Sequence, residues 1–284
     1  MADHASLTLQ LPVVLVLAGH DPSGGAGLTA DAEAIAACGG WPLTIPTALT
    51  IQNCRDVSAV MPVDPDAMRG MAAALDDFPI AAIKVGLVAD LASLDAVTDI
   101  VGRFPRVPLV VDPVLKAGGG RDLSTAELVD AFRARLLPLV DILTPNRGEL
   151  ARLSPWAGDD TERAVELMSL GCQAVLVTGT DNPSPGVAAH RVAHTLHAPD
   201  QSRQWNWPRL QGNFHGSGCT LASALTTRLA AGESLVMACE QAQAFTWQAL
   251  AHGWSPGAGQ SLPRRLWRLP VAPVEGPDKA SQMN

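Results

Sequence analysis

The chain reads as an α/β fold built on a mostly parallel central sheet with helices on both faces. Three observations carry that reading. Short, wholly apolar runs alternate with segments of helical periodicity. The apolar runs lack in/out alternation, as in strands buried on both faces, which is the habit of parallel sheets. The glycine and polar clusters follow strands, and right-handed crossovers gather such loops at one sheet edge, where ligands bind.

The elements follow in order. Residues 13–18 form the first strand, and Gly24-Gly25-Ala26-Gly27 opens a helix running to Cys38. A second apolar run, 43–49, is broken by Pro46. Periodicity predicts helix over 68–77, strand over 80–86 and helix over 91–102. The strand at 108–112 ends in Asp112. Helix 125–136 has Ser124 as its expected N-cap and Glu127 at the capping-box position. Strand 142–144, helix 161–170 and strand 174–178 come next. Residues 186–210 alternate loosely between turn residues, as antiparallel edge strands do, and Trp205 and Trp207 fall on one face there. His190, His194 and His197 show no metal spacing and read as surface residues. Two helices, 219–231 and 234–252, complete a single domain over 1–260. Residues 261–284 lack periodicity and are expected to form a loosely ordered tail.

Composition narrows the function. The 284 residues are 47% hydrophobic and 17% charged, enough for a large α/β core. Net charge is −8 without a basic block, which speaks against nucleic acid as a partner. No apolar run reaches the length of a membrane span, and the first ten residues lack the basic and apolar regions of a secretory signal. Five scattered cysteines without a CxxC pair suggest reduced thiols in a cytoplasmic protein. Of 20 Lys and Arg residues only Lys84, Lys116 and Lys279 are lysines, and the first two lie beside motifs.

The richest stretch is Asn213-Phe214-His215-Gly216-Ser217-Gly218-Cys219-Thr220. Leu221, Leu225 and Leu229 recur at helical spacing after it, and Gly232 stands where a left-handed cap belongs. Gly216, Ser217 and Gly218 would then offer backbone N–H groups at the positive end of a helix, an anion site. The same position favours a thiolate, so Cys219 is a candidate base or nucleophile. The segment alone also fits a Gly-Ser cap with an inert buried cysteine. After the first strand, Gly19, Asp21 and the following glycines allow close approach to a ligand, with Asp21 able to accept from a ligand hydroxyl or to act as a cap. The spacing matches neither a dinucleotide fingerprint nor a P-loop. Gln52 carries donors and an acceptor suited to the edge of a nitrogen heterocycle. Asp112 and Glu149, at neighbouring strand ends, are candidates for Mg²⁺, with first-turn helix charges as the plainer reading. Lys116 precedes Gly118-Gly119-Gly120, a stretch able to close over phosphates. Thr178 and Thr180 offer hydroxyls to phosphates or simply make a turn.

Taken together, these segments resemble the hydroxymethylpyrimidine/phosphomethylpyrimidine kinases of thiamine biosynthesis, in the ribokinase-like superfamily. The resemblance rests on 18–27, 47–53, Ile83-Lys84-Val85-Gly86-Leu87, Asp112-Pro113-Val114, Leu143-Thr144-Pro145-Asn146 with Glu149, and 215–220, in family order. It implies a ribokinase-like three-layer αβα sandwich and ATP-dependent phosphorylation of a heteroaromatic hydroxymethyl group. It implies Cys219 as general base and Gly216, Ser217 and Gly218 as the anion hole. Gln52 is implied as the pyrimidine-edge ligand, with Gly19, Asp21 and Val114 on the substrate side. Asp112 and Glu149 are implied on the Mg²⁺ side, and Asn146, Thr178, Thr180 and Lys116 on the nucleotide side. The implied partners are a small pyrimidine and ATP, and a homodimer is the family's habit. Cysteine in the last motif, where most of the superfamily has aspartate, points to the pyrimidine and pyridoxal branch, so pyridoxal kinase is the neighbouring reading and a non-catalytic pyrimidine sensor a further one. Three places depart from the family pattern: His20 stands where threonine is common, Thr178-Gly179-Thr180 where Lys-Gly-Gly is usual, and the segment before His215 lacks the usual Asn-Thr pair.

Overall fold

A computed structural model describes residues 10–118, 120–156, 158–180 and 186–270. Its nine-stranded sheet has the order β3-β2-β1-β4-β5-β6-β7-β8-β9. The centre is parallel: β1 (Val13–His20), β2 (Trp41–Gln52), β4 (Ile80–Val85), β5 (Leu109–Val111), β6 (Ile142–Leu143) and β7 (Ala174–Thr178). Both edges are antiparallel, β3 (Val57–Pro62) on β2 at one side, β8 (Arg191–Ala198) and β9 (Gln201–Pro208) at the other.

Period two along the strands separates two apolar layers. Leu15, Leu17, Ile83, Val85, Leu109 and Val111 face α2 (Pro65–Ala73), α3 (Leu91–Gly102), α4 (Ala126–Arg135), α5 (Arg147–Leu153) and α6 (Asp160–Ser169). Val14 and Val16 pack on α1 (Gly27–Ala37), while Val110, Ile142 and Leu176 pack with α7 (Ser217–Ala230) and α8 (Leu235–Ala251). Each fully buried Val or Leu contributes about 1.5–3 kcal/mol, so these two layers carry much of the fold's apolar stabilisation. This is the expected three-layer αβα architecture.

Some local expectations need correction. Helix α4 is capped by Thr125, whose hydroxyl accepts from the Leu128 amide, while Ser124 instead donates to the Leu115 carbonyl. Pro46 does not end β2, because β2 meets β3 only from Ala48 onward and shifts register against β1 beside it. Strand β3 and helix α5 were not legible from periodicity, being six and seven residues long. His197 is buried, and burial pushes the half-buried His194 down to about 4, so neither is a surface histidine. Within the segment expected to be a loose tail, Leu262 and Arg265 are buried against the body, and 271–284 lie outside the described residues.

Candidate active site

The strand ends and the loops after them enclose a cavity of about 200 Å³. Its lining includes every sequence-nominated residue except Asp21: Gly19 after β1, Gln52 at the end of β2, Asp112, Val114 and Lys116 after β5, Asn146 and Glu149 after β6, Thr178 and Thr180 after β7, and 216–219 at the start of α7. A larger cavity of about 410 Å³ lies between β8, β9 and α8, lined by His194, Trp207, Gln243 and Trp247 among others. Ser217 and Gly218 line both. Together with Gly118, Thr178, Thr180 and Phe214, which also line both, the first turn of α7 is part of the boundary between two compartments.

That turn is set by its backbone. Gly216 is the N-cap, left-handed at φ 83°, and a Cβ there would meet the Gly25 carbonyl oxygen at 1.9 Å, so only glycine fits. Among the described residues no side chain caps α7, which leaves its leading N–H groups at the cavity that Ser217, Gly218 and Cys219 line. Asp112 faces the same turn: a Cβ on Gly218 would lie 3.4 Å from its carboxylate.

Beneath the cavity lies a charged floor. Lys84, wholly buried, contacts both carboxylate oxygens of buried Asp31 at 2.9 and 3.0 Å. Ser223 of α7 donates to the same carboxylate at 2.7 Å. Gly86 makes room for the ammonium, since a Cβ there would approach Nζ to 2.7 Å. Burial disfavours the charged lysine, but Asp31, Cys219 and Asp112 outweigh it and hold the amine charged. Asp112 sits beside this pair and responds oppositely. Burial raises its carboxyl to about 6, with Asp31 adding to the effect, while Lys84 and a hydrogen bond from Cys219 oppose it. Asp31 and Ser223 carried no sequence signal beyond helical positions, because only the packing of α1, β4 and α7 brings them together.

Two nominated side chains sit in surroundings that local sequence did not foretell. Asp21 was read either as an acceptor for a ligand hydroxyl or as a cap, and its carboxylate is engaged within the chain, as a cap's would be. It accepts from the Ser23 amide and hydroxyl at 2.8 and 2.7 Å, from the Ala26 amide at 2.8 Å, and pairs with His215 Nε2 at 2.7 Å. It is a clamp between the β1–α1 loop and the segment leading into α7. Cys219 was expected to ionise readily at a helix N-terminus. Burial instead pushes its thiol up to about 12, against the influence of Lys84 and the Gly27 amide. The helix terminus is present, but desolvation of the thiolate is the larger effect.

Asn146 and Glu149 form a reciprocal capping box at α5, with the Asn146 amide donating to Glu149 and the Glu149 amide to Asn146 at 3.0 and 2.8 Å. The Lys116 and Asp122 backbones pair in an isolated antiparallel β-bridge, and Arg121 donates to the Val57 and Ser58 carbonyls of β3, tying this loop to the sheet edge. Gly119 and Asp181 lie outside the described residues.

A family model described as phosphomethylpyrimidine kinase matches residues 21–263. The chain belongs to that family. The resemblance read from the motifs is thus shown, and with it the assignment to phosphotransferases. An Escherichia coli hydroxymethylpyrimidine/phosphomethylpyrimidine kinase is 34% identical over 261 residues, covering 87% of this chain and 94% of the relative. The chain spans about half (47%) of the thiamine biosynthetic bifunctional enzyme of Arabidopsis thaliana, to which it is 33% identical over 85% of its own length. Among solved structures, a Bacillus subtilis pyridoxal kinase in an ADP complex superposes with a TM-score of 0.81 at 25% identity, covering 92% of this chain and all of that one.

Proposed function

We propose that the chain transfers a phosphoryl group from ATP to 4-amino-5-hydroxymethyl-2-methylpyrimidine, and then to its monophosphate, in thiamine biosynthesis. The observation that carries this reading is the pair of cavities meeting at Ser217 and Gly218. The nucleoside end of the donor suits the larger one, and the smaller one takes its phosphates, beside Asn146 and Lys116, together with a heteroaromatic alcohol near Gln52. The transferring group would then pass over the N–H groups of α7, which are directed at the charge it develops. Gln52 is assigned to the ring edge of the acceptor, and Asn146, Thr178, Thr180 and Lys116 to the nucleotide phosphates.

Among the described residues no three His, Cys, Asp or Glu side chains form a metal cage. Asp112 and Glu149 do line one cavity, and Mg²⁺ is commonly held by one or two carboxylates plus substrate phosphates, so the donor set fits that ion. When bound there it would neutralise charge on the phosphates.

Cys219 is assigned as the acceptor of the hydroxyl proton, its own thiol proton passing along the existing hydrogen bond to the Asp112 carboxylate as it does so. Its raised pKa is compatible with a loose transition state, in which the attacking oxygen sheds its proton late. Lys84, charged and fixed by Asp31, favours the thiolate at that moment.

The test is turnover with the hydroxymethylpyrimidine against pyridoxal, followed by product analysis starting from the pyrimidine alcohol and from its monophosphate. Faster turnover of the pyrimidine is expected, with both products formed. The structural likeness to pyridoxal kinase favours the second reading, and faster turnover of pyridoxal would establish it. Tight pyrimidine binding without turnover would mark a sensor. The exposed apolar pair Leu49 and Met61, matched across β2 and β3, supports a homodimer, which sedimentation would test. Cytoplasmic location is proposed from the five unpaired thiols; no helix among the described residues is long and apolar enough to cross a membrane.

A further inference from the structure

The last described stretch of the chain crosses the mouth of the site. The Ser261 amide donates to the Asn213 carbonyl and the His215 amide to Ser261, both in short backbone contacts of 2.9 and 3.0 Å. The Gln260 amide donates to Cys54 beyond β2. Leu262 packs so closely on the β1–α1 loop that a Cβ on Gly25 would meet it at 2.7 Å. The stretch then delivers Arg265, whose side chain is 1% exposed although its pairing partner Glu33 is 39% exposed.

A buried guanidinium needs its donors satisfied, and this one makes four hydrogen bonds. Nε donates to the Thr220 hydroxyl at 2.8 Å, Nη1 to the Gly24 carbonyl at 3.3 Å and to Glu33 at 3.1 Å, and Nη2 to the Gly25 carbonyl. Two of these bonds converge on one residue. The Thr220 hydroxyl, held by Nε, donates onward to the Gly216 carbonyl at 2.8 Å. The Gly25 carbonyl, held by Nη2, is the group against which Gly216 is packed. Gly216 is the left-handed residue that aims the first turn of α7.

We propose that Arg265 is a positioning residue for phosphoryl transfer: it grips Gly216 from two sides, through Thr220 and through Gly25, and so fixes the direction of the N–H groups that receive the transferring phosphoryl. The requirement is for a planar fork. A lysine carries the charge but cannot reach Thr220 and Gly25 together, so charge alone does not suffice. This inference rests on the kinase reading for its kinetic readout but not for its binding readout.

The experiment compares wild type with Arg265→Ala and Arg265→Lys, and adds Thr220→Val, which keeps the side-chain shape and removes the hydroxyl link. In protein shown to be folded by circular dichroism, kcat is expected to fall roughly 10–100-fold in both Arg265 variants, with KM for the pyrimidine within about twofold of wild type. Methylguanidinium is expected to restore part of the kcat of Arg265→Ala. A merely structural role would lower the melting temperature and leave the kcat of folded protein unchanged. The second readout is the NMR shift of the Gly216, Ser217 and Gly218 amides on titration with inorganic tripolyphosphate, expected to be weakened in all three variants. A folded Arg265→Ala with wild-type kcat and wild-type amide titration overturns the proposal. Should Arg265→Ala fail to fold, wild-type behaviour of Thr220→Val overturns it. Absence of turnover in the wild type would sink the kinase reading instead, and the amide titration would still decide the role of Arg265.

Discussion

Asp21 and Asp112 occupy matching places, each just past the end of a parallel strand, and are buried to 1% and 5% exposure. Burial raises the pKa of both, yet the outcomes are opposite. At Asp21, hydrogen bonds from His215, from the Ser23 side chain and amide, and from the Ala26 amide overcome burial and hold the carboxyl below its usual 3.8. At Asp112 burial wins, because Lys84 is shared with Asp31, Asp31 itself repels, and the Cys219 thiol alone adds a hydrogen bond, so the carboxyl rises to about 6. A carboxylate whose oxygens are satisfied by its own chain holds loops together. One left undersatisfied in a cavity is available for a ligand, which is why perturbed groups gather at functional sites.

Substitutions can break or sharpen that contrast. The largest effect is expected at Cys219, which donates to Asp112: Cys219→Ala should lower kcat by about 10²–10⁴-fold while leaving pyrimidine affinity, measured by calorimetry, nearly intact. Unchanged turnover would remove the base assignment. Asp112→Asn should lower kcat on the order of 10²–10³-fold yet leave thermal stability at pH 7, without nucleotide or metal, unchanged or higher. The sign follows from its raised folded pKa. The cost of ionising Asp112 is absent below about pH 4, grows between there and its folded value of about 6, and is complete at pH 7. Asp21→Asn should do the reverse. Its folded pKa is depressed, so its contribution is complete above the usual 3.8 and is lost as pH falls through the folded value. Urea melts should show a loss of about 1–3 kcal/mol at pH 7 that shrinks toward pH 3, with a smaller loss of kcat than at Asp112. A constant difference across that range would remove the clamp from the explanation. The smallest effect is expected at Gln52, which lines the same cavity as Asp112. Gln52→Ala should raise KM for the pyrimidine by roughly 5–10-fold with kcat little changed, as for an interaction equal in ground and transition states.

Much of this was readable before the fold was known, for physical reasons. Strand β1 announced itself because a parallel strand covered on both faces needs apolar residues at every position, and residues 13–18 supply them. The 216–219 turn was readable because a left-handed cap demands glycine at a point that helical spacing already marked. Strand β3, by contrast, presents weak alternation over six residues, and its pairing with β2 is a long-range choice. The Ser124 and Thr125 caps differ by one residue, and which hydroxyl turns inward depends on the loop that arrives from Leu115.

The sequence by itself determined the αβα order, the loops that carry chemistry and the residue types in them, because strand and helix periods and turn geometry are local properties. Only the tertiary structure decided how those residues are partnered. It joined Asp31 on α1, Lys84 on β4 and Ser223 on α7 into one buried network, and it paired Asp21 with His215, 194 residues away. It raised the thiol that a helix terminus alone would have lowered, and it carried Arg265 from an expected tail to the first turn of α7. Hydrogen-bond satisfaction and desolvation depend on partners distant in the chain, and no local pattern specifies them.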